Sequence, residues 1–236
     1  MITHRSGSVN AALRVFRIPA AMPGAMQPFN HKAAICILVA LAASGILGAN
    51  LGHSQAIGAY EIDPKASRVE IHVFRAGTFS GLGDDHTIEL RRFSGTASRA
   101  TGGPWQVHVV GESASLTVLD PGLSVSSRGE VQGTMLGPTQ LDVARFPEIE
   151  IKSRSVAPGK AAGSLLLEAD LTLHGVTRPV EFPINWTEDA KGLHAQGTKK
   201  LLLRDFDIQP IRKFFGTIQV RNDFDVVYDI RLSRHD

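Results

Sequence analysis

The last stretch of the chain constrains the fold most. Ile218, Val220, Phe224, Val226, Tyr228, Ile230 and Leu232 share one phase of a two-residue period, and Gln219, Arg221, Asp223, Asp225, Asp229 and Arg231 take the other. Only Asn222 and Val227 depart from it. One dry face and one wet face is the pattern of an antiparallel strand at the boundary of a core. At ~3.3 Å per residue such a strand is ~50 Å long, against a usual length of ~5–6 residues.

The same alternation recurs upstream. Val69, Ile71 and Val73 alternate with Arg68, Glu70 and His72, and Ile149 and Ile151 with Glu148, Glu150 and Lys152. Leu165, Leu167, Ala169, Leu171 and Leu173 form one face, and Val180, Phe182, Ile184 and Trp186 another. Gly102-Gly103-Pro104, Pro158-Gly159, His174-Gly175 and Asp189 to Gly192 punctuate these runs as turns. Further strands are expected over 89–98, 105–110, 113–119 and 193–203. The total is about eight strands, the number for a small closed barrel or a sandwich. Residues 124–144 do not alternate, so one or two short helices are expected between residues 124 and 145, ended by Phe146-Pro147.

Long tilted strands closed into a barrel make a tall, narrow tube with an apolar wall, which suits a long hydrocarbon chain better than a nucleotide or a sugar. Val73, Leu171, Phe182, Phe224 and Tyr228 lie on the apolar phase of their strands and are expected to line it. The same positions also serve a barrel filled by its own side chains, in which Phe182 and Trp186 would meet each other rather than a ligand.

The N-terminal segment reads as an address. Residues 33–49 (AAICILVALAASGILGA) carry no charge and no proline, His31 and Lys32 precede them, and Ser54-Gln55-Ala56 fits the small-x-small pattern before a signal-peptidase cut. The reading is a leader and cleaved signal over 1–56 and one domain over 57–236, periplasmic or secreted, and not an integral membrane protein once processed. An uncleaved anchor is the alternative. Residues 1–25 are long for a signal, so Met22 and Met26 compete with Met1 as the start. Cys36 is the single cysteine and lies inside the apolar run, which argues against lipidation and leaves the domain without thiol chemistry. Residues 1–56 hold Arg5, Arg14, Arg17 and Lys32 and no acid, while the remainder carries a small negative excess. Nothing in the body marks a nucleic-acid binder.

The chemistry-bearing residues are sparse. There is no G-x-S-x-G elbow, no paired-carboxylate spacing and no phosphate-loop lysine after Gly77 to Gly83, so no catalytic residue is assigned and no cofactor is called for. Asp84, Asp85 and His86 are of ligating types, but neighbours on a strand point to opposite faces, and His72, His108 and His174 are far in sequence. The segment is therefore read as a polar loop at the barrel mouth rather than a metal site. His86 and Arg75 are placed there to meet a ligand head group. The short basic runs Arg91-Arg92, Lys199-Lys200 and Arg212-Lys213 read as solvated strand charges.

Four segments in order then resemble the YceI-like family of bacterial polyisoprenoid- and lipid-binding proteins. They are Tyr60, Ile62, Asp63, Ser67 and Val69; FPEIEIKSRSV over 146–156; LTLHGVTRPV over 171–180; and Asp205, Phe206, Asp207 and Ile208. The sequence departs at Asp84, where one branch of the family has a histidine, and in RKFFG over 212–216. The resemblance implies an all-β, lipocalin-like antiparallel barrel holding a long-chain isoprenoid lipid, a quinone or a polyprenyl chain, and no reaction. The competing readings are an interaction or stress-response barrel with a filled core, and a metal-assisted lipid-modifying enzyme using His86. The sequence leaves a homodimer open.

Overall fold

A computed structural model of the protein describes residues 56–76, 85–213 and 218–235. The leader, Gly77 to Asp84 and most of RKFFG lie outside the described residues. Among the described residues no helix is long and apolar enough to cross a membrane.

Among the described residues twelve strands form one antiparallel sheet: β1 (Ala56–Ile62), β2 (Arg68–Ala76), β3 (His86–Leu90), β4 (Phe93–Ala100), β5 (Trp105–Glu112), β6 (Leu116–Val118), β7 (Glu148–Pro158), β8 (Ser164–Leu173), β9 (Val176–Asp189), β10 (Gly192–Leu202), β11 (Arg212–Lys213) and β12 (Ile218–His235). Three long strands are bent in two, as β1–β2, β3–β4 and β5–β6. With β7, β8, β9, β10 and β12 they make eight staves that follow one another in chain order. The ring closes because β12 pairs with both halves of the first stave, Leu232 with Ile62 and Tyr228 with Val69. The result is a closed eight-stranded antiparallel barrel.

The bends explain the sequence segments. Between β1 and β2, residues 63–67 leave the ladder. The Asp63 N–H bonds Arg231 O (2.8 Å), and Asp63 Oδ1 accepts from the Lys65 and Ala66 N–H groups (2.9 and 3.3 Å). Ser67 Oγ then accepts from the Arg231 N–H at 2.9 Å, standing in for a missing strand partner. The stretch expected as one strand over 89–98 breaks at Arg91-Arg92, and a 3-10 turn at Ser113–Ser115 breaks its partner at the same level. There the Arg92 N–H bonds Ser115 Oγ (3.0 Å), so both staves turn together.

The His174-Gly175 turn has φ of 52° and 72°, the two-residue hairpin geometry that needs positive φ at both positions. A side chain at Gly175 would meet the Phe146 ring at 2.5 Å, so the F-P and L-H-G-V segments specify each other. Arg178 Nε donates to Asp205 O at 2.9 Å. The nearby 3-10 turn at Leu203–Phe206 carries Phe206 and Ile208 into the core, 1% and 3% exposed. Asp207 closes the turn in the left-handed region.

One ladder is only half zipped. β9 and β10 pair from Asp189 and Gly192 to Asn185 and Gln196, and no further. Backbone groups of alternate strand residues face the same neighbour, so Pro179 and Pro183 both lack a donor on the β10 side. Gly197 has no side chain there, and the Tyr228 ring from β12 lies across it to donate its hydroxyl to Pro183 O. A Cβ at Gly197 would sit 2.3 Å from that hydroxyl oxygen.

Among the described residues one α-helix forms, α1 (Val125–Leu136), inside the stretch where the alternation fails. It stops at Gly137-Pro138 rather than at Phe146-Pro147, because proline disfavours helical geometry in the residue before it. Ser124 caps it, accepting from the Ser127 N–H at 3.1 Å. Gln132 seals the free edge of β6: its Oε1 accepts from the Val118 N–H (2.8 Å) and its Nε2 donates to Leu116 O (2.6 Å).

Candidate binding cavity

Two apolar walls face each other inside the barrel. One is built on β8, β9, β10 and the 203–206 turn around Leu167, Leu171, Phe182 and Phe206; the other on β1, β3, β4 and β6 around Tyr60, Ile88, Phe93 and Val118. Val73, Ile71, Val107 and Ile149 pack against both. They do not fill the barrel. A cavity of about 640 Å³ remains, within the ~300–1,000 Å³ of small-molecule sites. Its wall runs from Trp105 and Trp186 near one end to His86, Val220 and Ile208 near the other.

The five residues expected to line the tube, Val73, Leu171, Phe182, Phe224 and Tyr228, all do so. Trp186 lines it too, facing the cavity on the same strand as Phe182. The Tyr228 hydroxyl is engaged by Pro183 O, and its ring stands edge-on to Phe182 at 6.1 Å. Burial pushes the Tyr228 phenol above its ordinary range, so it stays a donor to that carbonyl.

The expected head-group pair separates. His86 lines the cavity, but Arg75 does not; the Arg75 N–H donates to Asp85 Oδ1 at 2.8 Å, and its guanidinium lies 3.8 Å from the same oxygen. Asp85 is thereby a partner of Arg75, and Asp84 lies outside the described residues. His86 instead meets Asp120, a residue the sequence reading passed over, with Nδ1 2.6 Å from Oδ2. The Thr87 N–H donates to the other oxygen at 2.8 Å. Among the described residues no group of three or more His, Cys, Asp or Glu is gathered as for a metal ion. Of the basic runs, Arg91 pairs with Glu89 (3.0 Å), Arg92 with Glu112 (2.6 Å) and Lys200 with Asp225 (2.8 Å), as strand-face charges do.

Polar lining groups concentrate at the end where α1 lies: His86, Ser127, Glu130, Thr134 and Gln140, with only Thr96 toward the other. The opposite end carries a polar clasp instead. The Tyr60 hydroxyl donates to Glu188 Oε1 at 2.7 Å, and Arg234 reaches both at 3.2 Å. The helix covers the polar end loosely. No α1 residue is buried, and a Cβ at Gly129 or Gly133 would have nothing within 4 Å. Helical glycine costs ~1 kcal/mol relative to alanine, so Gly129→Ala and Gly133→Ala are each expected to stabilise by up to about that amount. A rise in the urea midpoint at unchanged m would show it, and a fall would mean that the helix packs more closely than this.

A family model described as the YceI-like domain matches residues 60–232. The chain belongs to the YceI-like family. Its barrel resembles two solved structures, both at identities that speak for the fold alone. BcnA of Burkholderia cenocepacia is 13% identical, with a TM-score of 0.58 over 72% of this chain and 98% of that one. A polyisoprenoid-binding domain from Saccharophagus degradans, implicated in plant cell wall breakdown, is 16% identical, with a TM-score of 0.54 over 75% of this chain and 99% of that one. No curated protein sequence matches the chain. The YceI-like match begins at Tyr60 and ends at Leu232, so it takes in every stave of the barrel.

Proposed function

We propose that this YceI-like protein is an exported carrier that holds a long-chain isoprenoid, a quinone or a polyprenyl lipid, in its barrel without transforming it. The observation that carries this reading is the cavity of about 640 Å³, whose wall is almost wholly aliphatic and aromatic along the barrel. A chain that removes a few hundred Å² of apolar surface from water at ~25 cal/mol per Å² gains several kcal/mol without any charged contact. The relative described as a polyisoprenoid-binding domain supports the same ligand class. Export, with cleavage near Ala56 into a periplasmic or secreted form, rests on the charge-free run at 33–49.

Organic extraction of the purified protein, followed by mass spectrometry, tests the reading. The expected result is a near-stoichiometric isoprenoid lipid, or uptake of an isoprenoid alcohol or quinone by the extracted protein, with affinity little changed by salt. A protein that neither yields such a lipid nor takes one up is not a carrier, whatever its fold.

A further inference from the structure

We propose that Asp120 and His86 form a hydrogen-bond-accepting site for a hydroxyl-bearing head group, so that the barrel selects chain alcohols or phenols over their ethers. The inference rests on the lipid-carrier reading and names the head-group chemistry of that same cavity.

Four observations combine. His86 opens β3, and its ladder partner is Val73, so imidazole stands in an otherwise aliphatic part of the wall. Asp120 is 8% exposed, and both of its oxygens are engaged, one by the Thr87 N–H at 2.8 Å and one by His86 Nδ1 at 2.6 Å. A carboxylate only accepts, so Nδ1 carries the proton in this contact, which in a neutral ring leaves a lone pair on Nε2. Nε2 has no hydrogen-bond partner among the described residues, although the ring lines the cavity.

Ser127, Glu130, Thr134 and Gln140 also carry acceptor oxygens at this end, but Ser127 and Glu130 are exposed to water, whereas His86 stands on a strand among the aliphatic side chains of the wall. A ligand O–H entering among the aliphatic side chains would otherwise lose its water partners, which is costly in such surroundings. His86 Nε2 replaces them for an alcohol or a phenol. It gives nothing to an ether, whose oxygen has no proton. Asp120 is the positioning residue, since it touches the ring and not the cavity's contents.

The test compares a polyprenol with its O-methyl ether of equal chain length, titrated into the extracted full-length protein by displacement of a fluorescent fatty probe. The wild type is expected to prefer the alcohol about tenfold. His86→Leu and His86→Phe, which carry no acceptor, are expected to erase the preference by weakening the alcohol alone. Asp120→Asn retains an oxygen for the Thr87 N–H and turns its amide donor toward Nδ1, which moves the proton to Nε2. That variant is expected to bind alcohol and ether equally. The 15N resonance of His86 Nε2 in the wild type should shift on adding the alcohol and stay in place with the ether, which a purely structural histidine would not do. Equal binding of the two lipids by the wild type overturns the proposal and leaves the carrier reading standing. Failure of both lipids to bind overturns both.

Discussion

Phe206→Ala is expected to cost about 3–5 kcal/mol and to lower Tm by on the order of 10 °C. Phe206 is 1% exposed, among the largest fully buried side chains in the described residues. It sits on the 3-10 turn that packs against β9, β10 and β12 beside the unzipped part of the β9–β10 ladder. The turn is held by its own carbonyls: His174 Nδ1 lies 3.1 Å from Phe206 O, and Arg178 Nε donates to Asp205 O. Those bonds keep the backbone in place when the ring is removed, so the site cannot collapse to fill the void, which is the costly case for a core truncation. Phe206 belongs to the apolar cluster behind the cavity but does not itself line it, so the loss should fall on stability rather than on ligand preference. Urea unfolding of the lipid-free protein measures it. A change below 1 kcal/mol would mean that the turn does not anchor this end of the barrel.

The second large effect concerns chain length. Ala195 lines the cavity on β10, paired with Trp186 on one side and Ile230 on the other, in the half of the barrel away from α1. Ala195→Trp would place an indole in open space, so the fold should survive with little change in Tm. It would block the tube beyond that level. Long isoprenoids are then expected to lose at least a hundredfold in affinity, while short ones that end before the indole lose only a few-fold. Titration of a chain-length series in both proteins gives the comparison. Parallel losses at every length would mean that ligands do not extend into the far half. A strongly destabilised variant would mean that the space is not open there, since overpacking a filled core costs ~1–3 kcal/mol.

Particular residues show what was legible in the sequence. The phase of Phe224, Val226, Tyr228, Ile230 and Leu232 was readable because a strand with one wet face must alternate, and all five line the cavity. Asn222 broke the phase for a local reason: the β2–β12 register shifts between Val220 and Phe224, and Asn222 Oδ1 accepts the Arg204 N–H at 3.1 Å. The partner of His86 was not readable. Asp120 lies 34 positions away on a turn, and only strand pairing brings the two together. The place of Arg75 outside the cavity lining was not readable either, since its partner Asp85 stands ten residues on. Nor was the partner of the Tyr228 hydroxyl, since no local pattern says that the Pro183 carbonyl lacks a ladder partner. One signal was present and unused: two prolines four apart in β9 already mark a strand edge that cannot donate.

That edge bears on how the tube accommodates what it holds. In a barrel zipped on every ladder, strand number and stagger fix the circumference. Here the interval between the lower halves of β9 and β10 is spanned by a phenol and a turn instead of a hydrogen-bonded ladder. Girth at that level is therefore set by side-chain torsions, which change far more cheaply than ladder register. The wall has the equivalent of an expansion joint. If the barrel carries a guest as proposed, a branched or bulky segment of it would be taken in there without disturbing the other seven seams.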